Sequence, residues 1–272
     1  PPWKTKTKGR YRLIILTLKS LKDKGTVFTV PSRAMVSWIE KFIGGSCFLL
    51  PNGVDTSLFN PLKRRADIRD RLLNNRDVLI PYVARIHPDK NQIDVLRAVK
   101  ILVDEKRLRN FKVLFIGPLR GSFTEGKKKV NEYYIYLRHY TVRNKLNNYV
   151  DFLGEVDRKE EVAYILASSD IYVHVSLTEA AAPLAIMEAL ASGLPVVAYD
   201  LPFYDFLKDN ENAILVKRGD VRALATVLET LINDKNLREN LERRARIFAE
   251  ENLSWKKIVE RYYVELYKRL LQ

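Results

Sequence analysis

The 272-residue sequence has a single cysteine, Cys47, which excludes an intramolecular disulfide and any cysteine-built zinc cluster. A reducing compartment is therefore the simpler expectation, with Cys47 as a small apolar packing residue. Long hydrophobic runs are also missing: the run that begins at Leu13 falls far short of the roughly 20 residues a membrane span needs. There is no Walker A pattern, and "GPLRGS" after Ile116 is not a GxGxxG fingerprint. The three histidines, His87, His139 and His174, lack HExxH spacing, and no metal site is expected. His174 reads as a satisfied core residue in mid-strand, and Ser176 beside it lacks the glycines of a nucleophile elbow.

Positive charge, by contrast, is abundant. A formal charge of +14 points to an anionic partner such as a nucleotide, a nucleic acid or an acidic membrane face. Eight of the cations (Lys4, Lys6, Lys8, Arg10, Arg12, Lys19, Lys22 and Lys24) precede residue 25, where Asp23 is the sole acid. Most such runs are simply solvated; this one could also dock on anionic lipid. Cytoplasmic placement, with that peripheral contact as an option, is the resulting expectation.

From about Ser46 short apolar runs alternate with helical patterns: "SCFLLP", "VLIPYVA", "KVLFIG", "YVDFL", "IYVHVS", "PVVAY" and "AILV". Continuous apolar strands separated by amphipathic helices mark a parallel sheet covered on both faces, an α/β, doubly wound fold. "QIDVLRAVKILVDE" places Ile93, Leu96, Val99 and Val103 on one helix face. Ser32 and Asp220 read as N-caps. Near the end, Ile258, Tyr262, Leu266 and Leu270 recur at four-residue steps, as expected of a packed terminal helix. The tyrosine-rich "NEYYIYLRHYTVRNKL" could stack on bases, but a helix beneath the sheet is the commoner case.

In open α/β sheets ligands sit outside the carboxyl ends of the strands, so the loops there carry the search. "ARIHPDKNQ" holds Arg85 and Lys90, two cations suited to a diphosphate, or else two ordinary surface cations. In "SLTEAAAPLAIMEALASGLPVVAYD" a strand end, a loop and a helix with Pro183 in its first turn leave unpaired amides at Ala181, Ala182, Leu184 and Ala185, a seat for an anion. Glu188 sits within that helix among apolar neighbours and needs a partner, such as paired ribose hydroxyls, unless it occupies the exposed stripe. Glu179 waits in the loop before the helix.

Taken in order, "PNGVDTSLFNP", "ARIHPDKNQ", "VDFLGEVDRKEEVAYILASSDIYVHVS", "EAAAPLAIMEALASGLPVVAYD", "NENAILVKRGDVRAL" and "LSWKKIVERY" resemble the retaining glycosyltransferases of GT-B family 4 (GT4), from about Thr26 to the end. The resemblance implies a GT-B fold whose C-terminal Rossmann-like domain holds a nucleoside-diphosphate sugar, UDP- or GDP-linked, as substrate, with no cofactor and no required metal. It implies that Arg85 and Lys90 stabilise the departing diphosphate and that Glu188, second acid of the family's E-x7-E motif, holds the ribose. It places Gly154, Glu155 and Val156 against the base, and the backbone at Ala180, Ala182, Pro183, Leu184 and Ala185 around the phosphates and sugar. The first acid of the motif falls on Ala180, and Glu179, one residue too far, would serve only through a bulge of the loop. "DLPFYD", at Asp200 to Asp205, lacks the glycine pair usual in the family, which would narrow or reshape the sugar side.

The expected organisation is residues 1–45 as the end or remnant of an acceptor domain, 46–252 as the nucleotide-sugar domain, and 253–272 as a helix returning toward the N-terminal part. An acceptor domain of this family should have roughly 150 residues. The chain is therefore expected to be a piece of a longer enzyme or to work with a reduced acceptor half. The leading expectation is a hexosyltransferase acting on an unidentified glycan, lipid or protein acceptor. The alternatives are a catalytically silent nucleotide-sugar-binding module and a basic nucleic-acid-binding protein, although no nucleic-acid partner is expected.

Overall fold

The computed structural model describes residues 8–45, 47–73, 75–119, 123–124, 127–128, 132–179 and 183–271. The chain opens with helix α1 (Lys8–Asp23), strand β1 (Phe28–Val30), α2 (Arg33–Phe42) and β2 (Cys47–Leu49), followed by α3 (Ala66–Leu73), β3 (Val78–Val83), α4 (Gln92–Asp104) and β4 (Phe111–Ile116). Two-residue strands β5 (Phe123–Thr124) and β6 (Lys127–Lys128) precede α5 (Glu132–Arg143), β7 (Val150–Gly154), α6 (Lys159–Ala167), β8 (Tyr172–His174), α7 (Leu184–Ala191), β9 (Val196–Tyr199) and β10 (Ile214–Val216). The chain ends with α8 (Val221–Asn233), α9 (Lys235–Phe248), α10 (Trp255–Ile258) and α11 (Val264–Leu270).

Two parallel three-stranded sheets, β3-β4-β7 and β10-β9-β8, abut along β3 and β8. There the amides of Asp170 and Ile171 both donate to the Leu79 carbonyl, at 2.9 and 3.3 Å. The Asp170 carboxylate closes the seam, accepting from the Leu79 amide at 2.7 Å and from Arg69 at 2.8 Å. The combined spatial order is β10-β9-β8-β3-β4-β7, the doubly wound order in which the chain reverses direction between β3 and β8. Ligand crevices of such sheets open at that reversal.

The apolar runs became strands for the reason the sequence suggests. Every residue of β4 is buried, as is nearly all of β3, because helices cover both faces. Leu96, Val99 and Leu102 of α4 lose all solvent contact, and each such burial contributes about 1.5–3 kcal/mol. Ser32 and Asp220 cap α2 and α8, accepting from the amides of Met35 and Ala223.

One feature follows expectation and two depart from it. Residues 8–23 of the basic N-terminal run form α1, the first of the helix, strand and helix that residues 1–45 resemble; its Ile15 and Leu18 pack beside Val30, Ile39 and Ile43 while Leu13, Ile14 and Leu16 stay exposed. The periodic pattern of this run is masked in sequence by the cations interleaved with it. At the other end, Ile258 and Leu266 are buried but Leu270 is 48% exposed. Leu270 is the last residue of α11, and the packed face of that helix ends one turn earlier, at Leu266. Finally, Pro183 is the residue before α7 rather than part of its first turn: its ψ of 126° is extended, and its carbonyl accepts from the Ile186 amide.

The tyrosine-rich stretch forms α5, where Tyr133, Tyr134 and Tyr140 pack against the core and the Tyr133 hydroxyl accepts from the Ile93 amide at 3.2 Å. That is the structural use of the rings. Among the described residues no helix is long and apolar enough to cross a membrane.

Candidate functional site

The loop between β3 and α4 is rigidly specified. His87 caps the short turn Pro88–Lys90 through its Nδ1, and Gln92 donates to the Arg85 carbonyl at 2.9 Å. The Tyr82 hydroxyl donates to the Lys90 carbonyl. Asn91 adopts a left-handed φ of 54°, and its amide nitrogen donates to the Asp94 carboxylate and the Val175 carbonyl. Asp94 is buried and also accepts from the Tyr199 hydroxyl at 2.9 Å. This network fixes the backbone from which Lys90 projects.

On the other side of the crevice is the loop from β8 to α7. The Leu177 amide donates to the Asp89 carbonyl at 2.8 Å, so the two loops are joined backbone to backbone. Lys90 Nζ donates to Glu179 Oε1 at 2.5 Å, with both side chains largely withdrawn from solvent. Lys90 and Glu179 therefore face each other across the reversal point. Arg85 is exposed in the same loop as Lys90 and forms no ion pair among the described residues.

Glu179 has a second tether that the sequence did not disclose. His174 Nε2 lies 3.0 Å from Glu179 Oε1 and 3.1 Å from Ser176 Oγ, and Nδ1 lies 3.3 Å from the Tyr172 hydroxyl. The imidazole is 1% exposed and sits edge-on to the Tyr82 and Tyr204 rings. Burial lowers the His174 pKa despite the opposing pull of Glu179; Nε2 faces the carboxylate and donates to it, while Nδ1 meets a Tyr172 hydroxyl that itself donates to the Val83 carbonyl at 3.3 Å. Burial also works against the Glu179 carboxylate, but bonds from His174, Lys90 and Ser176 outweigh it and hold its pKa at about 2. His174 is thus a satisfied core residue, as its position in the strand suggests, but one of its partners is the candidate sugar-facing acid. A histidine two residues before a serine and five before an acid is the signal that could have found it.

Glu188 is in the opposite condition. It lies one turn inside α7, half-buried, with no side-chain hydrogen bond or ion pair among the described residues. Burial raises its pKa, with only the Lys159 charge pulling the other way. Glu188 shares the less buried stripe of α7 with exposed Leu184, one turn earlier, and half-buried Ala185, as the alternative expects, while Ile186, Met187, Ala189, Leu190 and Ala191 face the core. The first amides of the helix, at Leu184 and Ala185, have no partner among the described residues, and Leu184 is exposed. Ala180, Ala181 and Ala182 lie outside the described residues.

At the carboxyl ends of β4 and β7, Gly154 and Glu155 line a cleft of about 390 Å³ together with Pro118, Leu119 and Asp157. The cleft adjoins the cationic loop, since the Ile86 amide donates to the Pro118 carbonyl. Val156 points its side chain elsewhere, against the cluster of Ile68, Leu72 and Leu79. Gly117 has a φ of +144°, and a Cβ there would lie 2.2 Å from the Ala84 carbonyl oxygen; only glycine lets these loops approach so closely. No group of three or more His, Cys, Asp or Glu side chains among the described residues could hold a metal ion.

A doubly wound sheet with cations and a helix start at its reversal point is an arrangement in which α/β proteins commonly bind phosphorylated ligands. The family model for glycosyl transferases group 1 matches residues 63–248, and the chain belongs to that family, whose fold is GT-B. It is 26% identical over 256 residues to an uncharacterized glycosyltransferase of Methanocaldococcus jannaschii, covering 93% of this chain and 61% of that protein. It is also 26% identical over 192 residues to the UDP-Gal:alpha-D-GlcNAc-diphosphoundecaprenol alpha-1,3-galactosyltransferase of Escherichia coli, covering 70% of this chain and 46% of that one. Among solved structures, sucrose-phosphate synthase from Thermosynechococcus elongatus superposes with a TM-score of 0.78 at 20% identity, over 96% of this chain and 62% of that one. Anabaena HepE in complex with UDP superposes with a TM-score of 0.75 at 20% identity, over 89% and 64%. The chain thus spans less than two thirds of the length of each of these proteins.

Proposed function

We propose that this chain carries the donor side of a glycosyltransferase that moves a hexose from a nucleoside-diphosphate sugar to an acceptor hydroxyl, with retention of configuration and no required metal. One observation carries the reading: Lys90 and Glu179 of the loop leading into α7 meet at the reversal point, with a carboxylate one turn inside the helix, Glu188, that has no partner among the described residues. The rate-limiting electrostatic demand of this chemistry is the negative charge that develops on the departing diphosphate. Arg85, Lys90 and the amides of Leu184 and Ala185 are the groups suited to meet it. Glu188 would bind the ribose hydroxyls, exchanging a desolvated, unpaired state for two hydrogen bonds. Gly154, Glu155 and the backbone at Val156 would lie against the base in the adjoining cleft, and Glu179 would face the hydroxyls of the sugar. Within this reading, the donor domain begins later than the expected residue 46, because β2 pairs in parallel with β1 and Cys47 packs beside Val30 and Ile39; residues through β2 belong to the acceptor side, the donor domain runs on to residue 252, and residues 253–272 return toward the N-terminal part.

UDP is the first nucleotide to try, because HepE was solved with UDP and UDP-glucose and the Escherichia coli relative is named for UDP-Gal. Calorimetry against UDP, GDP, ADP and their sugars is expected to show binding of one series, unchanged by EDTA. Arg85→Ala, Lys90→Ala and Glu188→Ala should each weaken it on the order of tenfold or more. Absence of binding by all three series would overturn the assignment. Binding without transfer to any acceptor would instead leave a silent donor-binding module.

A further inference from the structure

The ammonium that a diphosphate would need is already held by a carboxylate. Lys90 has Glu179 as its one ion-pair partner among the described residues, and the contact is short and mostly shielded from water. A phosphate arriving at Lys90 must therefore compete with Glu179. Breaking a shielded pair outright is costly, because it leaves a carboxylate without a partner. Here it would not be left so: His174 Nε2 at 3.0 Å bonds the same Oε1 that Lys90 does, and the Ser176 hydroxyl also supports the carboxylate. His174 is itself fixed from its other nitrogen by Tyr172 and from its ring faces and edges by Tyr82 and Tyr204. Its place does not depend on the ion pair.

We propose that the Lys90–Glu179 pair is a latch on the diphosphate seat and that His174 is the positioning residue that lets it open, by keeping hold of Glu179 when Lys90 transfers to phosphate. This rests on the donor-site reading given above. The consequence is that affinity for a nucleoside diphosphate is reduced by the fraction of molecules in which Lys90 is engaged by Glu179. The acid stays directed into the site, beside the position where the sugar would follow the phosphates, instead of swinging into solvent with the lysine.

Double-mutant cycles read by calorimetry with UDP, or with GDP or ADP if one of those is the nucleotide bound, test this. Glu179→Gln frees Lys90 and is expected to tighten UDP about tenfold, as it would if Lys90 were free about one tenth of the time. In a Lys90→Ala background the same substitution should have no effect. Simple repulsion between Glu179 and phosphate would instead preserve the gain without the lysine, and that result overturns the latch. His174→Phe keeps an aromatic ring between Tyr82 and Tyr204 but removes the second tether, so Glu179 clings to Lys90 and UDP weakens severalfold. In the Glu179→Gln background the His174→Phe loss should vanish, whereas a merely structural role for His174 would cost affinity in both backgrounds. If His174→Phe does not fold, the Glu179 and Lys90 cycle decides the matter alone. Wild-type binding with no tightening in Glu179→Gln removes the latch and leaves the donor site standing. No binding by wild type or any variant removes both.

Discussion

Glu179 and Glu188 flank the start of the same helix, yet their surroundings drive their charges in opposite directions. Glu179 is drawn down from an ordinary 4.5 to about 2 by His174, Lys90 and Ser176 acting against burial. A carboxyl whose pKa is depressed on folding contributes stability above its unfolded value and loses it as pH falls through the folded one. The acid limb of the stability curve between about pH 5 and pH 2 should therefore be flatter in Glu179→Gln, as followed by denaturant titration at each pH. Glu188 has the reverse sign: its pKa is raised by burial, so its ionised form is a burden on the folded state at neutral pH. Glu188→Gln is expected to raise the Tm at pH 7 while weakening nucleotide binding on the order of tenfold. A fall in Tm would mean that the carboxylate has a stabilising partner.

The site is made by elements whose ends are brought together by unusual backbone positions. Asn91 turns the chain into α4 with a left-handed φ, and its side chain ties that turn to the end of β8 through Val175 and to β9 through Asp94 and Tyr199. Gly117 lets the end of β4 pass within contact of Ala84 at the end of β3. Gly117→Ala should cost at least about 2 kcal/mol, from its positive φ together with the blocked approach, measurable as a lowered urea midpoint. Because the displaced neighbour is the residue before Arg85, the same variant should weaken nucleotide affinity more than it lowers stability at a distant core position of equal cost. Leu270 makes the complementary point: it keeps ideal spacing from buried Leu266, but as the last residue of α11 it lies beyond the packed face.

Across the whole molecule, the seam between the two parallel sheets is where the crevice opens, and it is stitched by one buried carboxylate. Asp170 joins β3 through the Leu79 amide and α3 through Arg69, with Arg64 3.9 Å away. Asp170→Ala leaves the Arg69 guanidinium and the Leu79 amide short of a partner at the base of the reversal point. A loss of about 3–5 kcal/mol is expected, the range for removing one member of a buried ion pair, with an accompanying drop in Tm. The net charge of +14 adds long-range attraction for an anionic ligand, a steering effect that weakens as salt rises.

What the sequence determined by itself is local in the chain: seven apolar runs with helices between them, caps at Ser32 and Asp220, and two cations and two acids assigned to loops and one helix on the ligand side of the sheet. Strand and helix periodicity, and the torsional chemistry of caps and turns, are written within a few neighbouring residues, so they can be read without coordinates. Which buried polar group answers which is a different matter. That Lys90 meets Glu179, 89 positions along the chain, that His174 holds the same oxygen, and that Glu188 has no bond among the described residues were decided only when β3 and β8 came to lie side by side. The pairing of a buried charge depends on the three-dimensional packing of distant segments, and no spacing along a chain encodes that directly.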